Sequence, residues 1–333
     1  MGQYVLGIDL GGTKISSAVV DESGVIAGRA RNKTDAEKGD EAVFERVVKT
    51  GREALVNAGL SPGEIIAVGI GSPGPLDWET GYVIESAHLK FKDFPLGPRL
   101  AETFGHPSFI ENDVNAGTYG EFKAGAARGA KVVIGMFVGT GIGGGIIING
   151  SQHHGFTKNA GEIGHMTMKV DGPRCNCGAR GCLEAIASKT GMAREIRKAI
   201  KQGHKTYFAK RGSKYLDQLS SSSLKQAYDK DDKVTRKVVD RAARYIGAAL
   251  GSLVNVIGPE VVVLGGGVIE AMGDQLIPTI DKYARKTAFP FSMQGVSIVR
   301  SALGDDAGVI GASIIARERF ALARSASAKE AHQ

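Results

Sequence analysis

The sequence predicts an α/β protein built from two similar domains, and three observations lead there. Short β-branched runs alternate with helix-like patterns along most of the chain, which is how layered α/β domains read. Two of those runs end in glycine turns that lead into another strand: Gly7-Ile8-Asp9-Leu10-Gly11-Gly12-Thr13 and Gly135-Met136-Phe137-Val138-Gly139-Thr140-Gly141, about 128 residues apart. A layout repeated at that distance points to duplication. The 333 residues suffice for two domains of ordinary size with a substantial core.

Residues 4–9 read as a buried strand, 15–20 as a second, and 25–27 as a third beyond the turn Asp21-Glu22-Ser23-Gly24. The turn Gly11-Gly12-Thr13-Lys14 has neither the spacing nor the following helix of a P-loop. Its backbone N–H groups suit a phosphate, and Asp9 suits the hydration shell of Mg²⁺. An ordinary hairpin with an exposed Asp9 reads equally well from this segment alone. Residues 40–58 carry Val43, Phe44, Val47, Val48, Ala54 and Leu55 at helical spacing, with Asp40 as N-cap and Gly59 past the end. Residues 65–70 form a buried strand ending in Gly71-Ser72-Pro73-Gly74-Pro75, a turn able to offer main-chain groups to a ligand. A helix over 96–103 and a strand over 108–110 follow.

That strand ends on Glu111-Asn112-Asp113, and Val114, Tyr119 and Phe122 start a helix there. Ligands gather at the carboxyl ends of strands in α/β folds. Asp113 is therefore either the capping carboxylate of the helix or a general base beside Asn112, whose amide can grip a hydroxyl.

The second half opens with a strand over 132–138 and the turn Gly139-Thr140-Gly141. Residues 139–144 match G-x-G-x-x-G, but a β-branched strand follows instead of a helix, so the dinucleotide fingerprint does not apply. Residues 185–201 read as a helix, and the polar stretch 203–232, with serines at 220–223, as a surface excursion. A long amphipathic helix follows, with Val234, Val238, Ala242, Tyr245, Ala249 and Leu253 on one face and Gly258-Pro259 as its stop. A strand over 261–264 meets Gly265-Gly266-Gly267, with a helix from about Asp274. Such a triplet suits contact with an adenine or ribose, or is a plain strand-to-helix turn. A last strand over 296–300 leads to an apolar helix over 309–320, and the tail from Ala323 reads as disordered.

All three cysteines, Cys175, Cys177 and Cys182, fall within eight positions, ten residues after His165. Three thiolates and an imidazole are the ligand set of a closed tetrahedral zinc site, and Gly178 and Gly181 let the loop double back. The spacing C-x-C-x4-C is not that of a thioredoxin-like redox pair; a chance cluster of small buried cysteines is the competing reading. Glu162 and Glu184 bracket the stretch.

The net charge of +7 comes from 42 Lys+Arg against 35 Asp+Glu. The basic surplus is densest at 197–237 but interleaved with polar residues, which reads as a solvated helical surface rather than a nucleic-acid face. No apolar run approaches the roughly 18 residues of a membrane span. The N-terminus enters a strand directly, without a signal peptide, and an odd number of cysteines with metal-like spacing suits a reducing compartment. A cytoplasmic protein is expected.

The motifs Asp9-Leu-Gly-Gly-Thr-Lys14, Gly71-Ser-Pro-Gly-Pro75, Glu111-Asn-Asp-Val-Asn-Ala116, Val138-Gly-Thr-Gly-Ile-Gly-Gly-Gly145 and Pro259-Glu-Val-Val-Val-Leu-Gly-Gly-Gly267 resemble the ROK family of sugar kinases and repressors, nearly end to end. The resemblance implies a two-domain actin-like ATPase (ribonuclease H-like) fold of duplicated βββαβα-type domains with an interdomain cleft. A small domain is expected over 1–113, completed by 303–333, and a large one over 114–302. It implies ATP-dependent phosphorylation of a hexose at its 6-hydroxyl, glucose first, with fructose, mannose or an N-acetylhexosamine as alternatives. A sugar-sensing regulator is the reading from another class; Asp9 so near the start leaves no room for a preceding helix-turn-helix. ATP and Mg²⁺ are implied at Asp9, Gly11, Gly12, Thr13, Lys14, Gly139, Thr140, Gly141, Gly265, Gly266 and Gly267. The sugar falls to Gly74, Asn112, Asp113, Glu162, His165 and Glu184, with Asp113 as base. Structural zinc falls to His165, Cys175, Cys177 and Cys182. The resemblance favours ATP over polyphosphate as donor, implies a homodimer or homotetramer, and gives no role to nucleic acid or membrane.

His88-Leu89 departs from the Asn-Leu common in the family's glucokinases. With zinc fixing both edges of the sugar pocket, its loss is expected to weaken sugar binding before it touches the phosphate turns.

Overall fold

β1 (Tyr4–Leu10) pairs antiparallel with β2 (Lys14–Val20), which pairs antiparallel with β3 (Ile26–Lys33). Helix α1 (Asp40–Asn57) then returns the chain so that β4 (Ile65–Ser72) joins the free edge of β1 in parallel. A small antiparallel sheet, β5 (Leu76–Asp77), β6 (Tyr82–Ser86) and β7 (Phe91–Phe94), and helix α2 (Leu96–Phe104) follow. They lead into β8 (Ser108–Asn112), parallel to β4, and helix α3 (Asp113–Ala124). The five-stranded order is β3-β2-β1-β4-β8.

The second sheet repeats it. β9 (Val133–Val138) and β10 (Ile142–Ile148) are antiparallel, and β11 (Ser151–Gln152) lies at the edge. Five helices follow: α4 (Leu183–Ala187), α5 (Lys189–Lys201), α6 (Ser213–Asp217), α7 (Ser221–Asp229) and α8 (Lys233–Ile257). β12 (Val261–Gly265) is parallel to β9; α9 (Gly267–Thr287) leads on to β13 (Ser297–Arg300), parallel to β12, and α10 (Ala307–Glu330) closes the chain. The order β11-β10-β9-β12-β13 matches the first sheet position by position.

The computed structural model describes residues 3–86, 88–210 and 212–330. They cluster into two units, one of 3–129, 152–160 and 306–330, the other of 130–151 and 161–305. In the first, alternation along β1 decides what packs where. Leu6, Ile8 and Leu10 join Val43, Phe44, Val47 and Leu55 of α1 in one core. On the opposite face a Cβ at Gly7 would lie 2.3 Å from Val309 O, and one at Gly69 2.1 Å from Ala312 O, so α10 seats against bare backbone. In the second unit, Val238, Ala242, Ile246, Ala249 and Leu253 of α8 share a core with Val262 and Leu264 of β12 and Ile269 and Ile280 of α9. Among the described residues no helix is long and apolar enough to cross a membrane.

Several expectations need correction. The first unit runs past 113 to 129, where α3 packs along α10, and takes in 152–160, where His154 meets Glu111. Asp40 is the first residue of α1 rather than its cap; Gly39 occupies that place, and Asp40 Oδ1 accepts the Glu41 N–H. The helix over 185–201 is broken at Ser188, whose hydroxyl caps α5 by accepting the Gly191 N–H at 3.1 Å. The stretch 203–232 is no loose excursion: Phe208, Leu216, Leu219, Leu224 and Ala227 are buried in the second core. α9 begins at Gly267, with Gly266 as cap at φ 85°, seven residues earlier than read; a kink at Met272 had masked the periodicity. The tail from Ala323 continues α10 to Glu330; residues 331–333 lie outside the described residues.

Candidate active site and metal centre

Register brings the first group of candidates together. Asp9 of β1 stands opposite Gly71 of β4, and Ser72 of β4 opposite Asn112 of β8. Asp9 and the Asn112–Asp113 pair thus lie at the carboxyl edge of three parallel strands, where ligands of such sheets bind. The start of α10 closes on Asp9: a Cβ at Gly308 would sit 2.8 Å from Asp9 Cγ.

The local structure of the pair is decided by capping. Asn112 is the N-cap of α3, its Oδ1 accepting the N–H groups of Val114 at 3.0 Å and Asn115 at 3.1 Å. Asp113 is the first helical residue, and its Oδ1 takes a share of the Val114 N–H at 2.9 Å. The alternative of Asp113 as the N-cap is therefore not what the chain adopts. With the Asn112 oxygen committed to the helix, its Nδ2 is the group left to donate to a ligand.

The turn at Gly11, Gly12 and Thr13 is partly exposed and tightly held. Gly11 N–H donates to Lys14 O at 2.9 Å, Thr34 Oγ1 donates to Gly11 O at 2.6 Å, and Thr34 N–H donates to Thr13 O at 3.1 Å. Lys14 opens β2 opposite Lys33. His88 is exposed beside this turn, its Cβ 3.8 Å from where a Cβ on Gly12 would stand. The departure from the family pattern thus lies next to the glycine turn. At Gly74 the backbone has φ 105°, and a Cβ would fall 2.2 Å from Glu85 O, so only glycine fits.

Sequence reasoning missed the group behind the pair. Glu111 is 2% exposed, and its carboxylate accepts from Arg319 Nη2 at 2.7 Å and from His154 Nε2 at 2.9 Å. Burial pushes this carboxyl up, but the His154 hydrogen bond, the Arg319 charge and the Asn112 N–H outweigh it and hold it below the ordinary range. Glu111 opens the motif Glu111-Asn-Asp-Val-Asn-Ala116. His154 and Arg319 come from 43 and 208 residues away and carry no local signal.

In the second unit His165, Cys175, Cys177 and Cys182 bring their ligand atoms within 4.8 Å of one another. Cys177 Sγ and Cys182 Sγ are 3.7 Å apart, as are His165 Nδ1 and Cys175 Sγ. A tetrahedron with Zn–S bonds of about 2.3 Å has S–S edges of about 3.8 Å, so both spacing and donor set fit zinc. His165 Nδ1 faces the thiols and Nε2 lies 3.7 Å from Glu162 Oε2. Burial pushes the Cys182 thiol up to about 12; a bound cation would reverse this by drawing off the proton.

Glu184, at the start of α4, connects this cluster to the second glycine turn. Its Oε2 accepts the Ile142 N–H at 3.0 Å, and its Oε1 lies 3.8 Å from Cys175 Sγ. Gly141 is pressed against it: a Cβ there would stand 2.3 Å from Glu184 Oε2. The start of α5 holds the same turn, with Lys189 N–H donating to Gly139 O at 3.0 Å and Thr190 Oγ1 to Thr140 O at 2.8 Å. The cysteine–histidine cluster and the glycine turn therefore both adjoin Glu184, which does not favour loss of the cluster acting on the sugar residues alone. Gly265 ends β12, Gly266 caps α9 and Gly267 is its first residue, a strand-to-helix turn.

Two sheets of identical strand order, each with a glycine turn between its first two strands, define the duplicated architecture of the actin-like ATPases. The chain belongs to the ROK family, whose profile matches residues 5–319. It is 34% identical over 318 residues to a glucokinase of Halalkalibacterium halodurans, covering 95% of this chain and 96% of that one. It is 35% identical over 321 residues to a glucokinase of Thermotoga maritima, covering 95% and 98%. Among solved structures, a ROK family glucokinase from Streptomyces griseus in complex with glucose and AMPPNP superposes with a TM-score of 0.81 at 29% identity, over 95% of this chain and 99% of that chain.

Proposed function

We propose that the chain is an ATP-dependent glucokinase, transferring the γ-phosphoryl group of ATP to the 6-hydroxyl of glucose. The observation that carries the chemistry is the placement of Asp113 one residue inside α3, with Asn112 as the cap. Near full-length similarity to named glucokinases supports glucose as acceptor.

In this reading Asp113 orients the 6-hydroxyl and accepts its proton as the new O–P bond forms and ADP leaves. Phosphoryl transfer is mostly positioning and charge stabilisation, so alignment of Asp113 counts for more than its basicity. Asn112 Nδ2, Glu162, His165 and Glu184 hold sugar hydroxyls, and a sugar that leaves them unpaired is rejected. Gly74 gives the backbone room beside the sugar. The N–H groups at Gly11, Gly12, Thr13 and Lys14 and at Gly139, Thr140 and Gly141 receive phosphate oxygens, with Gly265, Gly266 and Gly267 toward the nucleoside and Asp9 toward hydrated Mg²⁺. His165, Cys175, Cys177 and Cys182 would hold a structural zinc, which would fix His165 and the loop beside Glu184 and take no part in the transfer.

A coupled ADP-release assay over glucose, fructose, mannose and N-acetylhexosamines, with ATP and polyphosphate as donors, tests this. Turnover is expected with glucose and ATP first; no turnover with any hexose would refute it.

A further inference from the structure

We infer that Glu111 is a positioning residue for the Asn112–Asp113 pair, fixed from behind by His154 and Arg319. All of its hydrogen-bonding capacity is used. Oε1 accepts the Asn112 N–H at 3.0 Å and the Asn115 Nδ2 at 3.3 Å, while Oε2 takes Arg319 and His154. Arg319 is itself anchored, its Nη1 donating to Ile110 O at 2.9 Å.

The consequence lies at Asn112. Its backbone N–H is held by Glu111 and its side-chain oxygen by the first turn of α3, so the peptide that carries Asp113 is pinned on both sides. An amide in place of this carboxylate offers one acceptor oxygen and turns an NH2 group toward two of the four donors. The clamp is drawn from β8, from the segment 152–160 and from α10, so its integrity depends on the tertiary fold rather than on local sequence.

The chain carries its own reporter of the clamp. Trp78, the single tryptophan, has its ring centroid 5.0 Å from that of His154 and lies 4.5 Å under the Arg319 guanidinium. Its emission reads the two groups that hold Glu111.

The inference rests on Asp113 as the base, and the experiment separates the two. In Glu111→Gln, kcat with glucose is expected to fall about 100-fold, the loss typical of an ångström-scale misplacement. KM for glucose and ATP should stay within about threefold and the Trp78 emission should shift. Arg319→Lys, which keeps the charge but not the second bond to Ile110 O, should fall between. A folded Glu111→Gln protein with wild-type kcat, or a change confined to KM or to melting temperature, overturns the inference. If Glu111→Gln does not fold, His154→Ala carries the test, with a loss in kcat of about tenfold expected from a partial misplacement and unchanged kcat overturning it. If the wild type phosphorylates no hexose, the glucokinase reading fails. Positioning is then judged by hydrogen exchange in the peptide containing Asn112: faster exchange in the variant supports it, and unchanged exchange overturns it.

Discussion

Glu184 Oε2 accepts the N–H of Ile142 at 3.0 Å while its other oxygen stands 3.8 Å from Cys175 Sγ. One carboxylate thus stands between the cysteine–histidine cluster and the turn that opens β10.

Elemental analysis of the purified protein should give about one zinc per chain. Chelation should weaken glucose and nucleotide binding together. Titration calorimetry with each ligand checks this. Nucleotide affinity untouched by chelation would show that the link through Glu184 carries nothing.

Gly141→Ala places a methyl 2.3 Å from Glu184 Oε2, so the carboxylate must move. Overpacking of this kind costs about 1–3 kcal/mol, and KM for ATP should rise about tenfold without loss of zinc. An unchanged KM with the fold intact would show that the contact is not needed.

Glu111 is depressed in the folded chain relative to its ordinary value of 4.5. A depressed carboxyl contributes stability that is present above the unfolded value and lost as pH falls through the folded one. The melting temperature of the wild type should therefore exceed that of Glu111→Gln by a constant margin above about pH 5 that shrinks below pH 4.5. Thermal melts from pH 7 to pH 3 measure the difference, and a margin that grows as pH falls would contradict the assignment.

Phe208 is fully buried in the second core. Phe208→Ala should lower stability by about 3–5 kcal/mol in denaturant melts. A loss below about 1 kcal/mol would return 203–232 to the status of a surface excursion.

The repeated strand–turn–strand and the cysteine cluster were legible because each is written in contiguous residues: a continuous apolar run before a glycine turn in 4–13 and C-x-C-x4-C in 175–182. What failed to read had a tertiary cause. Phe208 and Leu224 sit in a polar, serine-rich context and look like loop residues until α8 and α9 are beside them. Gly266 caps α9 with a backbone angle that no pattern announces. Asp113 read first as a cap, with a base as the alternative, because the competition with Asn112 for the first N–H groups of α3 is settled by geometry. Glu111 has partners 43 and 208 residues away.

Asp113→Asn tests the central claim most directly, by kcat with glucose and ATP alongside glucose affinity by calorimetry. Turnover should fall about 100- to 10,000-fold, the range for losing a general base, with glucose binding within a few-fold of wild type. Turnover retained within a few-fold would contradict the assignment of Asp113 as the base.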